Sequence, residues 1–248
     1  AGVQRLFAMQ TESGGLSYWP GGRQPMFWGS AYGGFVLTLA RRDGQAVTPA
    51  KFDKLMKYLS TELRTTAADC REAIDISANC LALYTLALAG KAEPAYHELL
   101  FNKRDRLSAD NCALLALAIS ESGGPAAMAA ELLSFRTNSP RSETDWFACD
   151  SRDLALQLLA WVRHCPNDQK VDTLVAELTH SRQRGHWYTT QGNAWAVFAL
   201  KEYADRVEGR TIATSGRLTW AAQAREFSLP DKPQTFAAVF PIAREAFR

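Results

Sequence analysis

Apolar residues recur at helical spacing along most of the chain, in two kinds of segment that alternate. The first kind is apolar on nearly every face, which is typical of a helix buried on all sides. The second kind carries one apolar stripe and one charged face, as in residues 49–64, and predicts an outer helix. We therefore predict an all-α protein with five buried and five half-buried helices. The buried ones are expected in residues 28–40, 75–89, 108–121, 151–164 and 190–203.

This alternation predicts helical hairpins that each place one helix inside and one outside. Such hairpins close into a ring whose inner helices form a barrel, or they stack into an open solenoid with polar end caps. We favour the ring, an alpha/alpha toroid over residues 1–206 with five of an expected six hairpins. The first hairpin would then precede Ala1, so the chain would be a piece of a longer protein and its ring edge would be open.

The pattern changes in residues 207–248, where prolines are frequent and the helical period is lost. Short strand-like runs occur at residues 218–220, 226–229 and 236–240, with Ser215 and Gly216 as the predicted hairpin turn. Because so few strands are not stable alone, we expect this segment to be part of a β-sandwich domain.

Composition excludes several partners and cofactors. The 28 Lys and Arg residues nearly balance 26 Asp and Glu, which gives no electrostatic basis for binding nucleic acid or an anionic membrane. The longest apolar run, residues 81–89, is too short to span a bilayer. Five widely spaced cysteines without a C-x-x-C pair argue against structural zinc. The four histidines fall in predicted outer helices or loops, so we expect them at the surface, and we predict no metal or cofactor.

A glycine-rich aromatic loop in residues 10–28 precedes the first buried helix, and residues 185–195 echo it before the last one. Residues that precede inner helices should gather at one end of the ring. Two interpretations stay open, namely a plug for the barrel and a docking or shielding surface, for which Trp and Tyr are suited. The candidate binding residues are Tyr18, Trp19, Trp28, Trp187, Tyr188 and Gln191.

The motifs of serine hydrolases, zinc peptidases and P-loop enzymes are absent, and we predict no catalytic residue. An alternative is a toroid enzyme acting on carbohydrate or isoprenoid. Its carboxylates would come from Glu143, Asp145, Asp150 and Asp153, which are otherwise helix caps or solvated loop charges. A second alternative is a plain helical-repeat binding module.

Several segments resemble the thioester domain of bacterial alpha-2-macroglobulins, which are related to the complement components. VQRLFAMQTESGGLSYWPGG and FWGSAYGGFVLTLA are similar to two of its helices and their connecting loop. GHWYTTQGNAWAVFAL is similar to the segment before its last helix, matched by Gly185, Trp187, Thr190 and Gln191. The resemblance implies a six-hairpin toroid inserted into a β-sandwich, CUB-like domain, to which residues 207–248 would belong.

The resemblance also implies a part in a protease inhibitor or trap. In the family the first hairpin carries Cys-x-Glu-Gln, whose Cys and Gln form an internal thioester that acylates the attacking protease. Here the nearest string is Cys70-Arg71-Glu72-Ala73, with Ala73 in place of Gln, so this chain holds no intact thioester. The loop at residues 65–74 also lacks the His of complement-like members, which favours either transfer to amines or a parent protein that lacks the chemistry.

The implied partners are proteases as targets of the parent protein, and the parent's remaining domains. The implied location is periplasmic or extracellular, in association with the cell envelope, with the membrane reached only through an anchor on the parent. We also expect self-association through the open ring edge, because an unpaired apolar flank favours association.

Overall fold

The computed structural model describes residues 2–69, 72–136, 147–209, 213–220, 223–231 and 236–240. Within them lie ten α-helices and two β-strands. The helices are α1 (Gly2–Ala8), α2 (Phe27–Arg42), α3 (Pro49–Thr66), α4 (Ala73–Leu88), α5 (Pro94–Phe101), α6 (Ala109–Glu121), α7 (Ala126–Ser134), α8 (Asp150–His164), α9 (Gln169–His180) and α10 (Thr190–Tyr203). The strands are β1 (Thr214–Trp220) and β2 (Gln223–Leu229).

The even-numbered helices form an inner layer in which α2, α4, α6, α8 and α10 pack in succession. The odd-numbered helices cover them from outside, so that α3 contacts α2 and α4, while α7 contacts α6 and α8. Helix α6 is buried continuously from Asp110 to Ile119, as the all-round apolar pattern predicts. The predicted fold class is confirmed in its helical alternation and its short C-terminal β segment.

Aromatic side chains connect the first and last inner helices. Phe35 of α2 stacks on Trp195 of α10 with ring centroids 4.8 Å apart, and it meets Phe198 edge to face at 5.6 Å. Tyr32 also contacts Trp195, at 6.2 Å. Apart from these rings, α2 and α10 contact each other less extensively than successive inner helices do. The inner layer is therefore an arc whose two ends are joined mainly by side chains.

The glycine-rich loop rests directly on the outer helix α3. Gly14 has φ of +100°, and a Cβ added there would lie 2.5 Å from the backbone oxygen of Lys54. The Gln10 side-chain amide also joins the loop to α3. Its Nε2 donates to the Lys51 carbonyl of α3 at 2.8 Å and to the Gly14 carbonyl of the loop at 3.0 Å. Only glycine combines this backbone conformation with so close an approach to another backbone.

We expect Gly14→Ala to lower the free energy of unfolding by about 2 kcal/mol, because it adds a steric clash to left-handed backbone strain. Gly21→Ala is the matched control, since Gly21 also has positive φ but open space around its added Cβ. It should cost only the backbone strain, about 1 kcal/mol. Denaturant titration of both variants checks this expectation, and equal losses would show that the contact with α3 contributes nothing.

Two local predictions are wrong. Ser215 and Gly216 do not form a hairpin turn, because both lie within β1 and pair with Ser228 and Phe227 of β2. An added Cβ at Gly216 would lie 2.6 Å from Cζ of the Phe227 ring, so the glycine accommodates that ring where it lies. Residues 236–240 are also not a strand, although Phe236 stacks on Phe227 at 5.3 Å. The predicted boundary at residues 206 and 207 stays a prediction.

The predicted surface location is also wrong for one histidine. His97 is buried in α5, which packs against both α4 and α6. Burial lowers the pKa of His97 to about 4, so its imidazole is neutral at physiological pH. The buried residues of α5 are His97 and Leu100, three positions apart, so the histidine lies on the one stripe that faces the inner helices. Among the described helices, none combines the length and the apolar character that crossing a membrane requires.

Candidate functional site

Trp28 is the centre of an aromatic cluster where α2 begins. Its ring stacks on Phe147 with centroids 3.9 Å apart and planes 9° apart, and on Tyr32 at 5.4 Å. Its indole Nε1 donates to the Ser77 hydroxyl of α4 at 3.3 Å. Trp28 is therefore a buried member of the core whose orientation is fixed by stacking and by one hydrogen bond.

Tyr18 and Trp19 lie above this cluster on the glycine-rich loop and face solvent. Tyr18 is 58% exposed and Trp19 is 71% exposed, and their rings meet edge to face at 4.9 Å. The Ser17 hydroxyl donates to the Trp19 carbonyl at 2.6 Å, which fixes the loop at this point. Large aromatic rings held in solvent on an ordered loop are typical of contact surfaces.

The other three candidates have separate environments. Trp187 is buried, and its Nε1 donates to the Leu178 carbonyl at 2.9 Å and to the Ser181 hydroxyl at 3.1 Å, at the end of α9. Tyr188 is 92% exposed. The Gln191 Oε1 accepts from Trp195 Nε1 at 3.1 Å.

Gln191 is also linked to the aromatic cluster through Trp195, whose indole it binds and whose ring centroid lies 6.2 Å from that of Tyr32. The structure thus brings Tyr18, Trp19 and Trp28 together and joins Gln191 to them, whereas Trp187 packs on α9. Trp146, Glu143 and Asp145 lie outside the described residues.

A buried charge pair supports the aromatic cluster from below. Arg152 of α8 is only 1% exposed, and its Nη2 lies 3.4 Å from Asp110 Oδ2 of α6 and 3.2 Å from the Ser77 hydroxyl. Its guanidinium carbon lies 5.8 Å from the Trp28 ring centroid. Four inner helices therefore meet in one connected set of contacts. Sequence reasoning missed Arg152 and Asp110, and the only signal was charge in the first turn of each apolar segment.

A cavity of 590 Å³ opens beside the cluster, between the glycine-rich loop and the start of α4. Its wall is mainly apolar, with the carboxylates of Glu72 and Asp75 at the first turn of α4. We call it the aromatic cavity. Its lining residues are Tyr18, Met26, Phe27, Trp28, Glu72, Ile74, Asp75, Ala78 and Phe147.

A second charged set joins the opposite ends of the inner helices. Arg163 of α8 donates to the Tyr84 hydroxyl at 2.8 Å and pairs with Glu121 at 3.3 Å and with Glu202 at 3.1 Å. Arg42 of α2 pairs with Glu121 at 2.6 Å. Each of the five inner helices thus contributes one member, and we call the set the ionic network.

The protonation states of this network follow from its geometry. Burial raises the pKa of the Tyr84 hydroxyl well above its usual value, so Tyr84 stays neutral. Burial opposes ionisation of Glu202, but hydrogen bonds and charge from Arg163 and Arg206 outweigh it and lower the pKa of Glu202. Glu202 is therefore charged at neutral pH beside a neutral Tyr84, and the contacts of the network hold the five inner helices together.

Comparison with known proteins gives one consistent result. No protein-family profile matches the sequence, and no curated protein matches it. Among solved structures, Salmonella alpha-2-macroglobulin reacted with methylamine aligns with a TM-score of 0.72 and 21% identity over 91% of this chain. The native conformation of Escherichia coli alpha-2-macroglobulin aligns with a TM-score of 0.71 and 20% identity over 93% of this chain. The chain has an alpha-2-macroglobulin domain fold.

The alignment covers only a part of those proteins. It spans 16% of the Salmonella alpha-2-macroglobulin chain and 15% of the Escherichia coli chain. It spans 38% of an Escherichia coli alpha-2-macroglobulin structure that runs from domain MG7 to the C-terminus. Another neighbour is Escherichia coli alpha-2-macroglobulin activated by porcine elastase, with a TM-score of 0.70 and 20% identity. At these identities the comparison shows the fold that this chain shares with alpha-2-macroglobulins.

Proposed function

We propose that the chain is the thioester-domain region of a bacterial alpha-2-macroglobulin-like protease trap. The observation that carries the proposal is the structural match to bacterial alpha-2-macroglobulins over about nine-tenths of this chain, at a TM-score of 0.72 for the first of them. Neighbours activated by trypsin and by elastase support proteases as the targets of the whole protein. The chain acts as a scaffold and an interaction surface, and it contributes no catalytic residue and no intact thioester.

The exposed end of the glycine-rich loop is the proposed interaction surface. Tyr18 and Trp19 present aromatic area that the fold does not need for its own core, since both rings remain mostly exposed. The rings beneath them, Trp28 and Phe147, are held in place by stacking. A rigid base under exposed aromatic residues suits contact with another domain of the same protein, because little ordering is needed on binding. We place that protein in the periplasm or outside the cell, associated with the envelope.

The test uses the full-length protein that contains this chain. It is incubated with trypsin, and residual activity is measured on a small peptide substrate and on a protein substrate. A trap should leave peptide cleavage largely intact while it blocks cleavage of the protein substrate, because the captured protease is enclosed. The 248-residue chain alone is the control and should block neither. Unchanged cleavage of the protein substrate by the full-length mixture would contradict the proposal.

Methylamine distinguishes a covalent trap from a non-covalent one. Intact-mass spectrometry and thiol titration of the full-length protein are compared before and after the amine is added. The gain of one methylamine together with release of one thiol indicates a thioester outside this chain. No change indicates trapping without acylation. The 248-residue chain should gain no methylamine in either case, and a gain would contradict our proposal that it holds no thioester.

The enzyme alternative has less support. Asp150 and Asp153 lie in the first turn of α8, where negative charge is favourable to a helix. The cavity at this end of the arc is mainly apolar, and the carboxylates in its lining come from Glu72 and Asp75. Those two carboxylates bind each other's backbone N–H groups, which is a role in capping a helix. We therefore retain the trap as the proposed function.

A further inference from the structure

We propose that a second cavity, between the glycine-rich loop and α3, binds a neutral oligosaccharide without making or breaking a covalent bond. It is separate from the aromatic cavity, which lies between the same loop and α4. We call it the polar cavity and define it by its charged lining residues, Glu12, Arg23, Lys54, Lys57 and Glu62. The inference does not rest on the role in protease trapping proposed above.

The polar cavity is large enough for a ligand of several linked units. Its volume of 910 Å³ lies near the upper end of the range for small-ligand sites. Its wall on α3 runs from Lys54 to Glu62, which is about 12 Å along an α-helix. A ligand that fills it is therefore much larger than a simple ion and contacts the loop and the helix together.

The charges of the polar cavity are of both signs. Arg23, Lys54 and Lys57 provide three cations, and Glu12 and Glu62 provide two carboxylates. Ion pairs between the described residues include none of these five side chains. Their donors and acceptors are therefore available to a ligand.

This mixture of charges selects the ligand class. An anionic ligand would face Glu12 and Glu62, and a cationic ligand would face three cations, so neither finds a wall of complementary charge. An apolar ligand would remove charged groups from water without replacing their hydrogen bonds. A neutral molecule with many hydroxyl groups avoids these costs, because each hydroxyl donates to a carboxylate or accepts from a cation. Oligosaccharides are molecules of this kind.

Uncharged side chains extend the hydrogen-bonding surface of the polar cavity. The hydroxyls of Ser13 and Thr61 line it, and Tyr58 lines it with a hydroxyl and a ring. Burial raises the pKa of the Tyr58 hydroxyl to about 12, so this group stays protonated at neutral pH. An extended peptide is less suited to the cavity, because main-chain recognition uses an unpaired strand edge and this wall is a helix.

The rim of the polar cavity is ordered and carries an exposed aromatic residue. Gly21 and Gly22 line the cavity within a tight turn, in which the Gly22 N–H donates to the Trp19 carbonyl at 3.0 Å. The first and last Cα atoms of such a turn lie within about 7 Å of each other, so Trp19 lies close to the cavity. Its ring is mostly exposed, and the C–H face of a sugar ring can pack on it by dispersion. Because the turn is already formed, binding orders little additional chain.

Titration of the 248-residue chain, followed by nuclear magnetic resonance, tests the ligand class. The saccharide probes are maltotriose, cellotriose and triacetylchitotriose, and the comparison probes are a blocked trialanine peptide and citrate. We expect at least one trisaccharide to bind at least about fivefold more tightly than both comparison probes, because it uses donors and acceptors together. Absence of binding by all three trisaccharides would overturn the proposal. Equal or tighter binding of the peptide or of citrate would also overturn it.

Matched variants on both walls locate the site. Glu12→Ala removes an acceptor from the loop and Lys57→Ala removes a donor from the helix, and each should weaken trisaccharide binding at least about threefold. The controls are Glu98→Ala on α5 and Lys51→Ala on α3, since both positions are exposed and neither lines the cavity. Thermal melts confirm that each variant folds. Unchanged affinity in both folded variants would overturn the site, and a loss in Lys57→Ala alone would overturn the neutral ligand.

A further variant, Trp19→Ala, tests the aromatic rim. It should weaken trisaccharide binding at least about threefold, because the sugar loses the ring on which it packs. Tyr188→Ala is the control, since Tyr188 is also exposed and does not line the cavity. In the unaltered chain, the indole N–H signal of Trp19 should shift as the trisaccharide is added. Unchanged affinity together with an unmoved indole signal would overturn the placement of a sugar ring on Trp19.

Discussion

Asp110→Ala should lower the free energy of unfolding by about 4 kcal/mol, because it removes the buried carboxylate that pairs with the buried Arg152 guanidinium. Asp110 is itself buried, and its Oδ2 lies 3.4 Å from Arg152 Nη2. Its other oxygen accepts from the Ser108 hydroxyl, so the substitution also removes that acceptor. The Arg152 side chain cannot reach solvent without separating the inner helices, since it is packed beneath Trp28. Urea titration measures the loss.

Two further variants separate the charge pair from a helix effect. Asp172→Ala removes an exposed acid from the first turn of α9 and should cost at most about 0.5 kcal/mol. Asp110→Leu combined with Arg152→Met replaces both charges by apolar groups and should recover most of the stability, because both members of the buried pair are replaced together. If Asp110→Ala costs no more than Asp172→Ala, the pair does not hold the inner helices together.

Arg163→Met is expected to cost about 3 kcal/mol at neutral pH. The side chain is only 12% exposed, and it contacts the Tyr84 hydroxyl, Glu121 and Glu202 at once. Glu121 keeps Arg42 and Glu202 keeps Arg206, so the carboxylates are not left alone. The larger part of the loss comes from the buried Tyr84 hydroxyl, which loses its charged donor.

The pH dependence of stability and a control variant, Arg206→Met, test the same network. The pKa of Glu202 is lowered in the folded protein, so its contribution is present above the ordinary carboxyl pKa and disappears as pH falls through the lowered value. Arg163→Met should weaken that acid sensitivity. Arg206 also contacts Glu202, but from an exposed position. Arg206→Met should therefore lower the free energy of unfolding by at most about 0.5 kcal/mol. Thermal and urea unfolding measure the loss of stability in both variants. Equal losses would contradict a buried role for Arg163.

The sequence was sufficient for the helical alternation because burial leaves a periodic pattern. Helix α6 is apolar on all sides and is buried along its length, whereas α3 has one apolar stripe and one wet face. The strand register was not predictable in the same way. Gly216 looked like a turn residue, but its lack of a side chain makes room for Phe227 across the ladder. The sequence of one strand does not indicate which side chain of the partner strand lies opposite a given residue.

The aromatic end was predictable only in part. Trp and Tyr before inner helices could be expected near each other, and Tyr18, Trp19 and Trp28 do lie together. Trp187 follows the same sequence pattern, yet it donates to the end of α9, because its orientation depends on the preceding turn. The charge pair beneath the cluster joins residues that are distant in sequence, Arg152 and Asp110, and neither is marked by any motif. Such pairs depend on three-dimensional packing that periodicity does not encode.

The ionic network also determines how the hairpins unfold. In a stack of repeats, each unit contacts only its neighbours, and the ends can open separately from the middle. Here Arg42 of α2 reaches past α4 to Glu121 of α6, and Arg163 of α8 reaches past α6 to Tyr84 of α4. Loss of one helix therefore removes contacts from units that are not adjacent to it. The inner arc consequently behaves as one cooperative folding unit and resists fraying from either end.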